Sequence, residues 1–162
     1  MSAPAGLVAL YPGSFDPPHL GHLDLIRRAS GLVARLVIGV GINPAKTPSL
    51  PAEQRLDLLR RDCAELANIS VIAYQGATIH AARAAGAGVL VRGVRSGSDL
   101  ESEATMAAIH RRLGLETLLL CADGAVAHVS SSAVRLCRSA GLPLDGLVSP
   151  AVAAALAGQA PR

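Results

Sequence analysis

Five short runs of this chain are apolar almost without a break: Leu7–Tyr11, Leu36–Gly41, Ile69–Tyr74, Val89–Arg92 and Thr117–Cys121. None alternates polar with apolar residues, as a strand with one wet face must. Runs of this kind fit strands covered on both faces, which is how parallel strands are buried. Helix-type segments separate them. One is expected over Leu23–Ser30. Another is expected from about Ala52 to Leu66, with Leu56, Leu59, Cys63 and Leu66 on one stripe and Pro51 in its first turn. A third begins at Ser98, where Ser98-Asp-Leu-Glu101 reads as a capping box, and runs to about Leu113. A fourth begins in Ser130-Ser-Ser and stops before Gly141, and a short last helix follows Ser149-Pro150.

Strand and helix alternating in this way predict an open parallel five-stranded sheet with helices on both faces and right-handed crossovers, a Rossmann-like α/β fold. With 51% apolar and 17% charged residues in 162, and no linker, repeat or low-complexity tract, a single domain over residues 1–162 is expected. In such a sheet, ligands bind outside the carboxyl ends of the strands, near the switch in strand order. The notable loops all fall at such ends: those after Tyr11, around Lys46, after Val91, and before Ser130.

The loop Gly13-Ser-Phe-Asp-Pro-Pro-His-Leu-Gly-His22 joins the first run to the first helix. Gly13, Pro17, Pro18 and Gly21 forbid regular structure and let backbone N–H groups point outward. The helix dipole then presents its positive end to the loop, where a phosphate is welcome, with His19 and His22 beside it. Neither GxxxxGK[ST] nor GxGxxG is present. Binding therefore falls to the backbone around Gly13–Phe15, the Ser14 hydroxyl and the imidazoles. His19 and His22 are metal-ligand types at i, i+3, but no third ligand lies nearby in sequence, and no protein-held metal is expected.

Three more segments carry polar chemistry. Arg92 leaves a buried strand in Val91-Arg-Gly-Val-Arg95, which requires an anion or a carboxylate to meet it, while Gly93 lets the backbone approach a ligand. Behind it, Asp99, Glu101 and Glu103 complement a helix N-terminus, and one of them can hold a ribose hydroxyl. Val129-Ser-Ser-Ser132 opens a helix and is read either as an anion cradle or as a simple cap. Asn43-Pro-Ala-Lys46 places the only lysine of the chain over the same edge; the other fourteen basic residues are arginine. A compact, flexible ammonium differs there from a planar guanidinium.

Composition narrows the function classes. Net charge is +3, with Arg27-Arg28, Arg60-Arg61 and Arg111-Arg112 as isolated pairs and no basic run, so an anionic small ligand is favoured over nucleic acid. Aromatic residues make up only 2%, which leaves little for base stacking. Cys63, Cys121 and Cys137 form no zinc spacing and read as thiols of a reducing compartment. No secretory signal is recognised at the N-terminus, and Ala151–Ala157 is too short to cross a bilayer, so a cytoplasmic protein without a membrane partner is expected. His80, His110 and His128 are read as structural or surface residues.

Taken together, His19-Leu-Gly-His22, Tyr11–Pro17, Asn43–Lys46, Arg92–Arg95 with Asp99 and Glu103 behind, and Val129–Ser132 resemble the nucleotidyltransferase superfamily with the [HT]xGH signature. Within it the chain is most similar to the bacterial phosphopantetheine adenylyltransferases, from Leu7 to about Pro150. The resemblance implies transfer of AMP from ATP to 4′-phosphopantetheine, giving dephospho-coenzyme A and pyrophosphate. It implies catalytic roles for His22, Lys46 and Arg92. It implies ATP contacts from Ser14, Phe15, His22, Gly93, Val94, Arg95, Glu103, Val126, Ala127, His128, Val129, Ser130, Ser131 and Ser132. Acceptor contacts would come from Ser14, Lys46, Thr78 and Arg92. It further implies Mg²⁺ as cofactor, a homo-oligomer (usually a hexamer), and coenzyme A as a feedback ligand. The chain departs from the family pattern in four places: His19-Leu-Gly-His22 replaces Thr-Asn-Gly-His, Val126-Ala-His128 replaces aromatic residues before the triple serine, Asp99-Leu-Glu-Ser-Glu103 replaces Asp-Phe-Glu-Tyr-Glu, and Gly76–His80 stands for the segment lining the pantetheine arm, so the resemblance supports the ATP side better than the acceptor side. The alternatives are another phosphorylated acceptor, such as nicotinate mononucleotide, and a non-catalytic nucleotide-binding paralogue.

Overall fold

The computed structural model describes residues 6–159. Its strands are β1 (Val8–Gly13), β2 (Arg35–Ile42), β3 (Ile69–Gln75), β4 (Val89–Val94) and β5 (Glu116–Cys121). All pair in parallel, in the order β3-β2-β1-β4-β5. The helices are α1 (Leu20–Ser30), α2 (Ala52–Asp62), α3 (Thr78–Ala84), α4 (Gly97–Arg112), α5 (Ser131–Ser139) and α6 (Pro150–Ala157). The five apolar runs are thus the five strands, each differing by a residue or two at its ends.

The period-two geometry of a strand sorts their side chains to two faces. Ala9 and Tyr11 of β1, with Leu36, Ile38 and Val40 of β2, meet Leu25 and Ile26 of α1 and Leu56 and Leu59 of α2 in one core. Leu10, Val37 and Leu90 face the other way, onto Ala81 and Ala82 of α3. A third cluster, with Leu50, Leu58, Val134 and Val152, ties α2 to α5 and α6. The chain runs from β1 outward to β3 and then returns to place β4 on the other side of β1. The switch point therefore lies between β1 and β4.

Several helix ends differ from expectation. α1 begins at Leu20, not Leu23, because His19 is its N-cap and the first turn contains His22. α2 stops at Asp62 with Cys63 as C-cap, while Leu66 packs on the core from beyond it; Pro51 sits at the N-cap position, just before the first turn. α4 starts at Gly97, capped by Ser96, whose hydroxyl accepts from the Asp99 N–H; the Ser98–Glu101 capping box does not form. α5 follows its Ser130 cap, and Gly141 behind it takes the left-handed backbone (φ 67°) expected of a C′ glycine. α3 was not anticipated.

The basic pairs Arg27-Arg28, Arg60-Arg61 and Arg111-Arg112 occupy the last turns of α1, α2 and α4, where they complement the negative end of each helix.

Candidate active site

β1 ends at Gly13 and hands the chain to Ser14 at the rim. Phe15 then takes a left-handed backbone (φ 48°), which turns its ring back into the protein at 1% exposure. The ring packs edge-on against Tyr11 at 5.4 Å and against the His22 imidazole at 4.7 Å between centroids. Phe15 therefore supports His22 from below and does not face the cavity.

His19 and His22 cap one another. The His19 Nδ1 accepts from the His22 N–H and the His22 Nδ1 accepts from the His19 N–H, both at 3.3 Å, and the two rings stack at 3.5 Å. Burial holds His22 well below the usual imidazole range, with the charges of His19 and Arg95 acting in the same direction. Burial likewise, with Arg95, pulls His19 down to about 4. His22 is thus neutral at physiological pH. With its Nδ1 occupied as an acceptor, the proton lies on Nε2, and the ring offers the cavity a neutral N–H donor.

The first cavity, of about 330 Å³, opens over the ends of β1 and β4. Its walls are Ser14, His19, Gly21 and His22 on one side, Arg92, Gly93, Arg95, Asp99 and Glu103 on another, and Val126, Val129 and Ser130–Ser132 on the third. Two helix N-termini, those of α1 and α5, border it, and neither carries an acidic residue in its first turn. Each such end is worth about 0.3–1 kcal/mol to an anion. Ser130 is the cap of α5, its Oγ accepting from the Ala133 N–H. Ser131 donates to the Pro17 carbonyl at 3.0 Å, and Ser132 accepts from Arg135 at 3.2 Å. The three serines therefore both cap and line.

Arg92 is met by a carboxylate. Its Nε and Nη2 donate to Glu103 at 2.8 and 2.6 Å, and its Nη1 donates to the Pro12 carbonyl at 3.0 Å. This fork raises the guanidinium pKa further and fixes its plane. Two of its five N–H donors stay outside these bonds. Arg95 donates to Asp99 through both its backbone N–H and its Nε, at 3.1 and 3.0 Å, which holds the Asp99 carboxyl below its ordinary value. Gly93 lets β4 and α1 approach closely: a Cβ there would lie 2.3 Å from Leu25 Cδ1 on α1, so that side chain would have to shift.

Arg92 also walls a second cavity of about 250 Å³, with Ser14, Gly41, Asn43, Tyr74 and Thr78. The Thr78 and Tyr74 hydroxyls are hydrogen-bonded at 3.0 Å. A third cavity, lined by Ser14, Asp16, Asn43, Lys46, Arg55 and Arg135, adjoins it. Lys46 sits there, not beside His22. Its backbone is turned by Asn43, whose carbonyl accepts from the Lys46 N–H at 3.1 Å, and its ammonium forms no ion pair among the described residues. Ser14 lines all three cavities, so the site is three lobes meeting at one residue.

Most of the residues expected at the site are therefore on these walls. Phe15, Val94, Ala127 and His128 are not; Phe15 and Val94 are buried, with Val94 at 8% exposure. Sequence reasoning missed Arg55, Arg135 and Tyr74. Asp16 stood inside the quoted loop pattern without a role. Arg55 is 4% exposed, yet nothing in the periodicity of α2 sets it apart from its surface neighbours. Among the described residues, no group of three or more His, Cys, Asp or Glu side chains is placed to hold a metal ion. No helix among them is long and apolar enough to cross a membrane.

Residues 10–136 match the cytidylyltransferase-like family model. The phosphopantetheine adenylyltransferase of Beijerinckia indica is 42% identical over 158 residues, covering 93% of this chain and 95% of that protein. That of Synechococcus sp. (strain JA-3-3Ab) is 44% identical over 149 residues, covering 91% and 94%. In structure, the chain is similar to a Vibrio parahaemolyticus protein assigned as a nicotinate-nucleotide adenylyltransferase, with a TM-score of 0.70 at 17% identity, covering 98% of this chain and 93% of that one. That likeness bears on the fold.

Proposed function

The chain belongs to the cytidylyltransferase-like family and, within it, to the phosphopantetheine adenylyltransferases, and from that premise we propose that it transfers AMP from ATP to 4′-phosphopantetheine. The acceptor's phosphate oxygen bonds to the α-phosphorus, the α–β P–O bond breaks, and pyrophosphate leaves with both electrons; the product is dephospho-coenzyme A. The nucleophile is already ionised at neutral pH, so neither a general base nor a covalent enzyme intermediate is needed. Catalysis reduces to positioning two polyanions and stabilising charge on the α-phosphoryl group.

The observation that carries this reading is the meeting of the three lobes at Ser14, with Arg92 forming part of the wall between two of them. ATP is assigned to the first lobe. There Gly93, Arg95, Glu103 and the Val126–Ser132 segment face adenosine and triphosphate, and the His22 Nε2–H faces the phosphates. Val94, Ala127 and His128 contribute as backbone neighbours, and Phe15 by supporting His22. The acceptor is assigned to the second lobe, its arm along Thr78 and its phosphate between Ser14, Arg92 and Lys46.

Mg²⁺ is proposed as cofactor. The carboxylates of the first lobe, Asp99 and Glu103, are already committed to Arg95 and Arg92, which suits an ion carried by phosphates and water. Bound so, it neutralises charge on the leaving pyrophosphate. Coenzyme A, which shares the pantetheine arm, is proposed to compete at the same lobes.

A homo-oligomer, with a hexamer as the expected form, is proposed as well. It is supported by α4, which has no buried residue and exposes Leu100, Met106 and Ile109, with Leu113 exposed at its C-cap. A cytoplasmic location is supported by Cys63, Cys121 and Cys137, all free thiols. The test of function is pyrophosphate release with ATP, Mg²⁺ and a panel of acceptors. Turnover with phosphopantetheine and not with nicotinate mononucleotide is expected; the reverse preference refutes the reading.

A further inference from the structure

Lys46 is the one expected site residue whose placement its own strand does not explain. It rides on an exposed segment between Pro44 and Pro48, beyond the end of β2. On its upstream side the Asn43 side chain accepts from the Ala45 N–H at 3.0 Å, a local turn. Downstream, the segment is gripped from elsewhere. The two oxygens of Asp16 accept from the successive N–H groups of Ser49 and Leu50, at 2.8 and 2.9 Å. Arg55, 4% exposed, donates from Nε to the Leu50 carbonyl at 3.0 Å and from Nη1 to the Ser14 carbonyl. Leu50 is thus held at both its N–H and its C=O, and both holders lead back to the loop that carries Ser14. Arg135 of α5 closes the frame by donating to the Asp16 carbonyl at 2.6 Å.

Arg55 spends its hydrogen bonds on carbonyls, with the Asp16 carboxylate attracting it from beyond ion-pair distance, and a guanidinium buried in this way is costly to desolvate. Covering Leu50 by apolar contact alone gives no reason for a guanidinium at this place. What Arg55 supplies is a rigid fork of fixed span between two carbonyls on different loops. One of those loops holds the Ser14 hydroxyl and the other holds the Lys46 ammonium.

The geometry points to Asp16 and Arg55 as positioning residues that fix Lys46 relative to Ser14, and through that spacing set how tightly the acceptor's phosphate is held. This rests on the functional reading above, in which that phosphate lies between Ser14, Arg92 and Lys46. Neither residue needs to touch substrate.

The test is a double-mutant cycle of Lys46→Met with Arg55→Lys. It is read as the calorimetric Kd of 4′-phosphopantetheine and, separately, of ATP, with melting temperature as a control. Arg55→Lys keeps the charge but cannot span both carbonyls. It is expected to weaken phosphopantetheine about tenfold and ATP less than twofold, and to add nothing in the Lys46→Met background, because its effect passes through Lys46. Asp16→Asn, which turns one acceptor into a donor facing a backbone N–H, is expected to do the same and takes the place of Arg55→Lys if that variant does not fold. Equal loss for both ligands, full additivity with Lys46→Met, or a lowered melting temperature with unchanged Kd each overturns the inference. Wild-type turnover, assayed independently, separates its failure from failure of the functional reading; a wild type that does not bind phosphopantetheine defeats both.

Discussion

His22 has two jobs that separate on measurement. Its Nδ1 helps close the first turn of α1, and the ring also lines the first cavity, where the proposed function gives its Nε2–H to the phosphates. His22→Ala is expected to lower kcat by at least 10²-fold, the scale for a lost electrostatic donor, and to cost about 1 kcal/mol of stability through the missing cap. Steady-state kinetics and urea denaturation read the two effects separately. The stacked pair also makes the fold sensitive to acid. Both imidazoles are held neutral in the folded state, His19 with a value near 4, whereas in the unfolded chain they titrate near 6.5. Between those values the unfolded state binds more protons, so stability is highest above pH 6.5 and falls as pH drops toward 4, by at most about 1.4 kcal/mol per pH unit for each ring. Denaturation midpoints across that range check this, and His19→Asn, which keeps a capping group but does not titrate, is expected to flatten the slope. In the proposed assignment Lys46 serves the acceptor: Lys46→Ala is expected to raise the KM for phosphopantetheine well above any change for ATP, and an equal rise in both contradicts that assignment.

The strands were legible because burial on both faces writes itself as unbroken apolar runs. Helix ends were legible only where one residue decides them, as at Ser130 and Gly141. The start of α1 was hidden because two histidines form its capping box, where the usual signature is Ser or Thr with Glu. The start of α4 was displaced because three hydroxyl and acidic residues, Ser96, Ser98 and Asp99, competed for one cap and Ser96 won it. α3 was missed because seven residues, rich in alanine, carry too short a pattern to show a period. Among site residues, those in loops of unusual composition were found. Arg55 was not, because a buried arginine on a helix looks in sequence like an exposed one. The most demanding contact between elements is that of β4 with α1 at Gly93. Gly93→Ala is expected to cost about 1–3 kcal/mol by driving a methyl into Leu25, and to recover part of that loss when combined with Leu25→Ala. Urea midpoints of the single and double variants decide it.

On the scale of the whole molecule, the switch in strand order between β1 and β4 opens a crevice, and two helix N-termini, a neutral imidazole N–H and several cations gather around it from distant parts of the chain. The opposite requirement appears at α4, where three large apolar side chains, and Leu113 at the C-cap, face outward. If that helix is the surface on which copies associate, Ile109→Asp is expected to reduce the mass measured by light scattering while leaving the monomer folded. An unchanged oligomer places the interface elsewhere. The lobes meeting at Ser14 are expected to let one bound anion displace pyrophosphate from the other directly, with no enzyme-bound intermediate. The stereochemical course at the α-phosphorus tests it most directly, using ATP carrying a single sulfur of defined configuration at that atom. Inversion in the dephospho-coenzyme A product is the outcome predicted here; retention would require two displacements and a covalent adduct, and would contradict the account.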